Sequence, residues 1–153
     1  MRWIHDVTTD PADPPRYVVL REVRLACVNG VDYSGLDAAA HRLKHPDLAT
    51  MRYAVNADKV FETALAFATS LGWEIAGIDK AEGRIEATAT TRIMRFKDDV
   101  VIRIRAMAGG TLLDARSASR VGKSDLGANA QRLRTYLDIV NSILKTNTSD
   151  STA

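Results

Sequence analysis

The side chains best suited to chemistry fall in one polar stretch: Arg116-Ser117-Ala118-Ser119-Arg120-Val121-Gly122-Lys123-Ser124-Asp125-Leu126-Gly127-Ala128-Asn129. Hydroxyls, cations and glycines here run straight into a helix start. A helix N-terminus offers free backbone N–H groups and a field that favours anions. Arg120 and Lys123 would add charge, so the stretch has the parts of a phosphate or carboxylate cradle. It lacks the glycine spacing of a nucleotide-hydrolase phosphate loop and has no parallel βα unit before it. A structural reading competes. Ser124 or Asp125 can cap the helix while the glycines make the turn, and an aspartate there would itself occupy the anion site. The stretch is therefore either a lock between strand and helix or a ligand or partner contact. In the second case Arg116, Ser117, Ser119, Arg120, Lys123, Ser124, Asp125 and Asn129 would carry it.

Other reactive types are scattered. His5-Asp6 could form an acid/base pair, and a hydrolytic set would need His5 to activate Ser117 or Ser119. No nucleophile-elbow motif supports that. His41 and His45 stand four apart beside Asp37 and Asp47, a spacing that puts metal-ligand types on one helical face. However, Pro46 ends the helix, no third ligand is evident, and surface histidines are the simpler expectation. The adjacent carboxylates Asp98-Asp99 are expected in a hairpin turn. The single cysteine, Cys27, excludes an internal disulfide and a multi-thiolate zinc site and reads as a small packed residue. No cofactor is implied.

Charge and length narrow the classes further. The 21 basic and 19 acidic residues are interleaved, leaving a net charge of +2. That argues against a dedicated nucleic-acid binder, which concentrates uncompensated cations. No run approaches the ~18 apolar residues of a membrane span. The start, Met1-Arg2-Trp3-Ile4-His5-Asp6, has no apolar signal core. The 153 residues suit one domain with a substantial core.

The elements that must position these residues read as an α+β domain over residues 16–145, preceded by an extended arm (1–15) and followed by a disordered tail (146–153). Pro11, Pro14 and Pro15 make the arm irregular and surface-laid. A short helix is predicted from Leu36 to Lys44, and an edge strand over Met51–Val55. Asn56 caps a helix to Leu71, stopped by Gly72. Then come Trp73–Ile78, Arg84–Ile93, Val100–Ala106 and Thr111–Ser119, joined by short connections. They are expected as a four-stranded antiparallel meander. A last helix is predicted from Leu126 to Lys145, with Leu126, Ala130, Leu133, Leu137, Val140 and Leu144 on one seam.

Strand alternation sorts the sheet faces. Ile85, Ala87, Val100, Ile102, Ile104, Leu113 and Ala115 share an apolar face, expected under the two long helices. Arg84, Glu86, Thr88, Arg103, Arg105, Asp114 and Arg116 share the other. That face is either a solvated lattice of ion pairs, each contributing about 0–1 kcal/mol, or a docking face. In the docking reading Arg103, Arg105 and Arg116 would receive an anionic group or a partner protein.

Several strings together resemble the bacterial family of domain of unknown function 1499. They are Ile4-His5-Asp6-Val7-Thr8-Thr9-Asp10, His45-Pro46-Asp47-Leu48, Arg84-Ile85-Glu86-Ala87-Thr88, Phe96-Lys97-Asp98-Asp99-Val100 and the specific string Arg116 to Ala130. His45 departs from the tyrosine usual before that Pro-Asp. The resemblance covers about residues 3–140 and implies no assigned activity, substrate or cofactor. It implies that similar proteins often carry N-terminal membrane segments, and hence a membrane-anchored, periplasmic setting for full-length relatives.

These readings lead to a non-enzymatic binding or accessory domain near the cell-envelope membrane. It would contact a protein partner or anionic ligand through segment 116–129, the arginine face and the His5–Asp10 arm. The alternative is a small-anion-binding protein or unrecognised hydrolase with Arg116, Ser119, Arg120 and Asp125 around a pocket.

Overall fold

The computed structural model describes residues 3–150, with side chains through residue 145. In chain order its elements are β1 (Asp6–Thr8), α1 (Arg21–Leu25), α2 (Ala38–Lys44), β2 (Met51–Tyr53), α3 (Ala57–Ser70), β3 (Glu74–Asp79), β4 (Arg84–Thr90), β5 (Lys97–Met107), β6 (Gly110–Ser119) and α4 (Ala128–Asp150). Of the tail expected to be disordered (146–153), residues 146–150 continue α4, and the rest lies outside the described residues.

α3 begins where its predicted cap, Asn56, places it. Asp37 accepts from the Ala40 N–H at 2.9 Å at the start of α2, and Asn56 from the Lys59 N–H at 2.9 Å at the start of α3. The apolar stripe of α3 (Val60, Phe61, Ala64, Ala68) and the seam of α4 (Ala130, Leu133, Leu137, Val140, Leu144) are buried together against the predicted apolar sheet face. The Tyr136 hydroxyl donates to the Ala64 carbonyl at 2.7 Å, and its ring stacks on Trp73 with centroids 5.1 Å apart, so α4 is tied to α3.

The sheet has six antiparallel strands rather than four, and the helices number four among the described residues. The meander β3–β6 forms as expected. Its last strand then receives two further partners along its outer edge: β1 opposite Arg116–Ala118 and β2 opposite Thr111–Leu113. An uncovered edge presents unpaired backbone donors and acceptors, and the N-terminal arm supplies the missing ladder. The arm is thus not surface-laid at its start, since Asp6, Val7, Thr8 and Thr9 are buried.

Two boundaries also differ. β4 ends at Thr90, and the hairpin connection is residues 91–96, not Lys97-Asp98-Asp99. Both aspartates belong to β5 because each is held by a guanidinium: Asp98 by Arg132 at 2.8 Å on the helix side, Asp99 by Arg24 at 2.9 Å on the other. Leu126 precedes α4 instead of starting its seam. It stands at φ 53° with its side chain almost wholly exposed.

Candidate functional site

The charged face of the sheet is covered rather than solvated. Residues from Thr9 to Val31 lie across it, and Tyr17 and Leu20 pack with Val101 and Ala118 in a second small core. The charged groups beneath are consumed by one another.

Asp99, fully buried, accepts from Arg24 Nη1 at 2.9 Å, from Arg120 Nε at 3.0 Å and Nη2 at 2.9 Å, and from the Thr88 hydroxyl at 2.8 Å. Asp6 receives Arg116 through Nε at 3.0 Å and Nη2 at 2.8 Å. Asp114 accepts from the hydroxyls of Thr9 and Thr50, each at 2.7 Å, and from Arg103 at 3.3 Å and Arg105 at 3.1 Å. Glu86 is enclosed by the consecutive N–H groups of Val18, Val19 and Leu20 at 2.8, 2.8 and 3.2 Å, an internal carboxylate in a backbone anion nest.

Tyr17 closes the layer. Arg24 and Arg116 lie 4.9 and 4.7 Å from its ring centroid, and its hydroxyl donates to the Asp99 carbonyl at 2.6 Å. Burial pushes the Tyr17 phenol far above its ordinary pKa. Burial is the largest influence on Arg116 and opposes its charge, but hydrogen bonding to Asp6 and the attraction of Asp6, Tyr17 and Tyr33 together outweigh it, and the net direction is upward. The hydrogen bonds from Arg120 to Asp99 raise Arg120 as well. These are fixed cations, each already facing an anion.

Segment 116–129 is built in the same way. Asn129, fully buried, donates to the Ser119 hydroxyl at 2.9 Å and Asp125 Oδ2 at 2.8 Å, and accepts from the Ser117 hydroxyl at 2.6 Å and Arg132 at 3.0 Å. Asp125 accepts the Gly127 N–H at 2.7 Å and the Asn129 N–H at 3.2 Å, so its carboxylate occupies the helix-start position an external anion would need. Ser124 accepts the Leu126 N–H at 3.3 Å. Lys123 alone of the stretch's cations projects away from this network. His5 contributes its carbonyl to the Ser119 N–H, and its ring lies 3.4 Å from the Ser34 hydroxyl. The His5 ring is therefore placed on Ser34, while Ser117 and Ser119 are both engaged by Asn129.

His41 and His45 are buried, not on the surface. His41 Nε2 meets the Leu48 carbonyl at 2.7 Å. His45 Nδ1 meets Arg134 Nη2 at 2.9 Å, and Arg134 also grips Asp47 at 2.6 Å. They fasten the α2–β2 connection to α4. Among the described residues no cluster of three metal-ligating types occurs.

A polar opening of about 390 Å³ lies beside Arg116, lined by Arg16, Tyr17, Arg21, Asp32 and Tyr33, and an apolar one lies at the end of the sheet, where the 91–96 hairpin connection faces the loop between β6 and α4. A cleft of about 360 Å³ is lined there by Ile93, Met94, Phe96, Val121 and Leu126, with Asp98 and Ser119 also on its wall. A second cleft of about 260 Å³ shares Leu126 and adds Trp3, Ile4 and Ala130. Ile93 is 91% exposed and Leu126 93%.

Both loops are braced. The Thr91 N–H donates to the Phe96 carbonyl at 2.8 Å, the Phe96 N–H to the Thr91 hydroxyl at 2.8 Å, and Asn29 Nδ2 to the Gly122 carbonyl at 3.0 Å. Arg95 and Leu126 hold φ values of 57° and 53°, a region non-glycine residues enter at some cost. Sequence reasoning missed this site by running β4 on through Ile93. The signal was present in Arg92-Ile93-Met94-Arg95-Phe96-Lys97, whose apolar residues do not keep a strand's two-residue period.

Fold and site together define an α+β domain whose charged sheet face is an internal ion-pair layer and which carries an apolar opening at two loop tips. The chain belongs to the family described as "Protein of unknown function (DUF1499)", whose model matches residues 6–140. No curated protein matches it. Among solved structures, CalU16 from Micromonospora echinospora is 13% identical with a TM-score of 0.48, over 66% of this chain and 76% of that one. Ara h 8.0201 is 11% identical with a TM-score of 0.35, over 63% and 95%.

Proposed function

We propose that the protein is a non-enzymatic binding or accessory domain working near a membrane, and that its contact surface is the loop-tip cleft rather than the arginine face. One observation carries this reading. Arg116, Ser117, Ser119, Arg120, Asp125 and Asn129 are held by internal partners, whereas Ile93, Met94, Phe96, Val121 and Leu126 are left open around a cleft of about 360 Å³. Exposed apolar side chains gathered in one place mark interaction sites. The use of Arg116, Ser119, Arg120 and Asp125 as an anion site or hydrolytic centre is disfavoured, because an incoming anion would have to displace Asp6, Asp99 or Asp125.

Titration with the neutral apolar fluorophore N-phenyl-1-naphthylamine tests the assignment. Saturable emission enhancement is expected for the wild type and its loss for Phe96→Ser. Equal enhancement in both proteins would place the apolar site elsewhere.

A further inference from the structure

The apolar loop tips carry a second feature, which concerns charge. The 91–96 connection interleaves Arg92 and Arg95 with Ile93, Met94 and Phe96, Lys97 follows at the start of β5, and Lys123 stands in the facing loop between Val121 and Leu126; of these cations Arg92 lines the cleft. All four cations are exposed, and among the described residues no carboxylate pairs with any of them. The carboxylates that do lie here are withdrawn: Asp98 is buried against Arg132, and Asp125 is turned onto backbone N–H groups. A chain with a net charge of only +2 thus presents at this end a local excess of positive charge around projecting apolar groups. Beside Leu126, Trp3 is 61% exposed on the rim of the adjoining cleft, with Lys44 also lining it.

We infer that this surface docks on an anionic phospholipid bilayer, with the loop-tip apolar side chains entering the acyl boundary and the cations meeting lipid phosphates. The inference rests on the loop tips being the contact surface. Charge complementarity selects the occupant. A pocket for a soluble apolar ligand needs no unpaired cations in the loops that form it. A second copy of the chain would bring the same cations together, and like charges repel. An anionic bilayer satisfies both the apolar tips and the cations, and an exposed tryptophan suits the interfacial zone. The left-handed backbone at Arg95 and Leu126, with the bracing bonds of both loops, presents the tips already extended.

The test is co-sedimentation of the full chain with vesicles of phosphatidylcholine alone or mixed with phosphatidylglycerol, with tryptophan emission read in parallel. Binding to the mixed vesicles, weakened by salt, and a blue shift from Trp3 are expected; Trp73, buried against Tyr136, supplies a constant background. Arg92→Glu/Lys123→Glu should lower partitioning by about tenfold or more, taking each basic residue near an anionic surface at about 1 kcal/mol. Ile93→Ser/Leu126→Asn should lower it at least as far. Asparagine tolerates the left-handed region, so that variant keeps the fold.

Partitioning that is equal on both vesicle types, absent from both, or unchanged in the variants would overturn the inference. So would self-association of the wild type that Ile93→Ser/Leu126→Asn abolishes, which would make a second copy the occupant. If the fluorophore binds and vesicles do not, only the bilayer assignment fails. If neither binds, the loop-tip reading fails with it.

Discussion

Asp99→Ala should be among the most damaging single substitutions on the sheet, and its cost follows from the partners left behind. Asp99 neutralises two guanidiniums, and Arg24 is itself only 1% exposed. Without the carboxylate, Arg24 keeps carbonyl acceptors on Gly30, Ala118 and Ser119 but no counter-charge. Removing one member of a buried pair costs about 3–5 kcal/mol, because the other charge stays desolvated. Against a total stability of about 5–15 kcal/mol, that is a third or more of the folding free energy in a typical case. For a domain of this size each kcal/mol moves Tm by about 2–4 °C, so a fall of about 6–20 °C is expected.

The control is Arg105→Ala. Arg105 is 43% exposed and makes one bond, to Asp114, so its loss should stay under about 1 kcal/mol. Urea unfolding followed by tryptophan emission and calorimetry reads both. Asp99→Ala within about 1 kcal/mol of wild type would refute the view that the charged face is a buried lock.

Three further outcomes follow from the same geometry. Asn129→Ala should destabilise by about 2–3 kcal/mol by urea unfolding, since Ser117, Ser119 and Asp125 lose a shared buried partner. Gly83→Ala should also destabilise strongly, seen as a lowered urea midpoint. Gly83 sits at φ 67°, and a Cβ there would run into the Ile104 carbonyl oxygen on the neighbouring strand β5. Stability should depend on pH through His45. Burial, then Arg134, lowers its pKa from 6.5, so the folded state keeps the ring neutral while the unfolded chain takes up a proton near that value. Its contribution is intact above the ordinary value and declines as pH falls below it. The drop in urea midpoint between about pH 7 and pH 5 should be smaller in His45→Gln than in wild type.

The elements that propensity and pattern control were legible in the sequence. Asn56 caps its helix as predicted, the seam from Ala130 to Leu144 is buried, and the two sheet faces sort by alternation. What escaped were features set by distant partners. Asp98-Asp99 looks like a turn until Arg132, 34 positions on in α4, and Arg24, far upstream in α1, are brought against it. Asp6-Val7-Thr8 looks like irregular arm until β6 offers an open edge and Arg116. The charged face looked exposed because nothing local shows that residues 9–31 fold back over it. The arginine and serine types in 116–129 drew attention for their chemistry, yet that chemistry is spent inside. The apolar tips beside them carried no motif and were legible only as broken periodicity.

The most direct test of the account sets the lock against the tips. Arg120→Ala removes a grip on Asp99 without lining the cleft, and Ile93→Ser/Leu126→Asn alters the cleft without touching the lock. Fluorophore titration and urea unfolding, measured on both proteins, should separate. Arg120→Ala is expected to lower the unfolding midpoint and keep saturable N-phenyl-1-naphthylamine binding, and the cleft variant to keep the midpoint and lose the binding. Loss of binding in Arg120→Ala at unchanged stability, with binding retained in the cleft variant, would return the site to the polar segment and contradict the account.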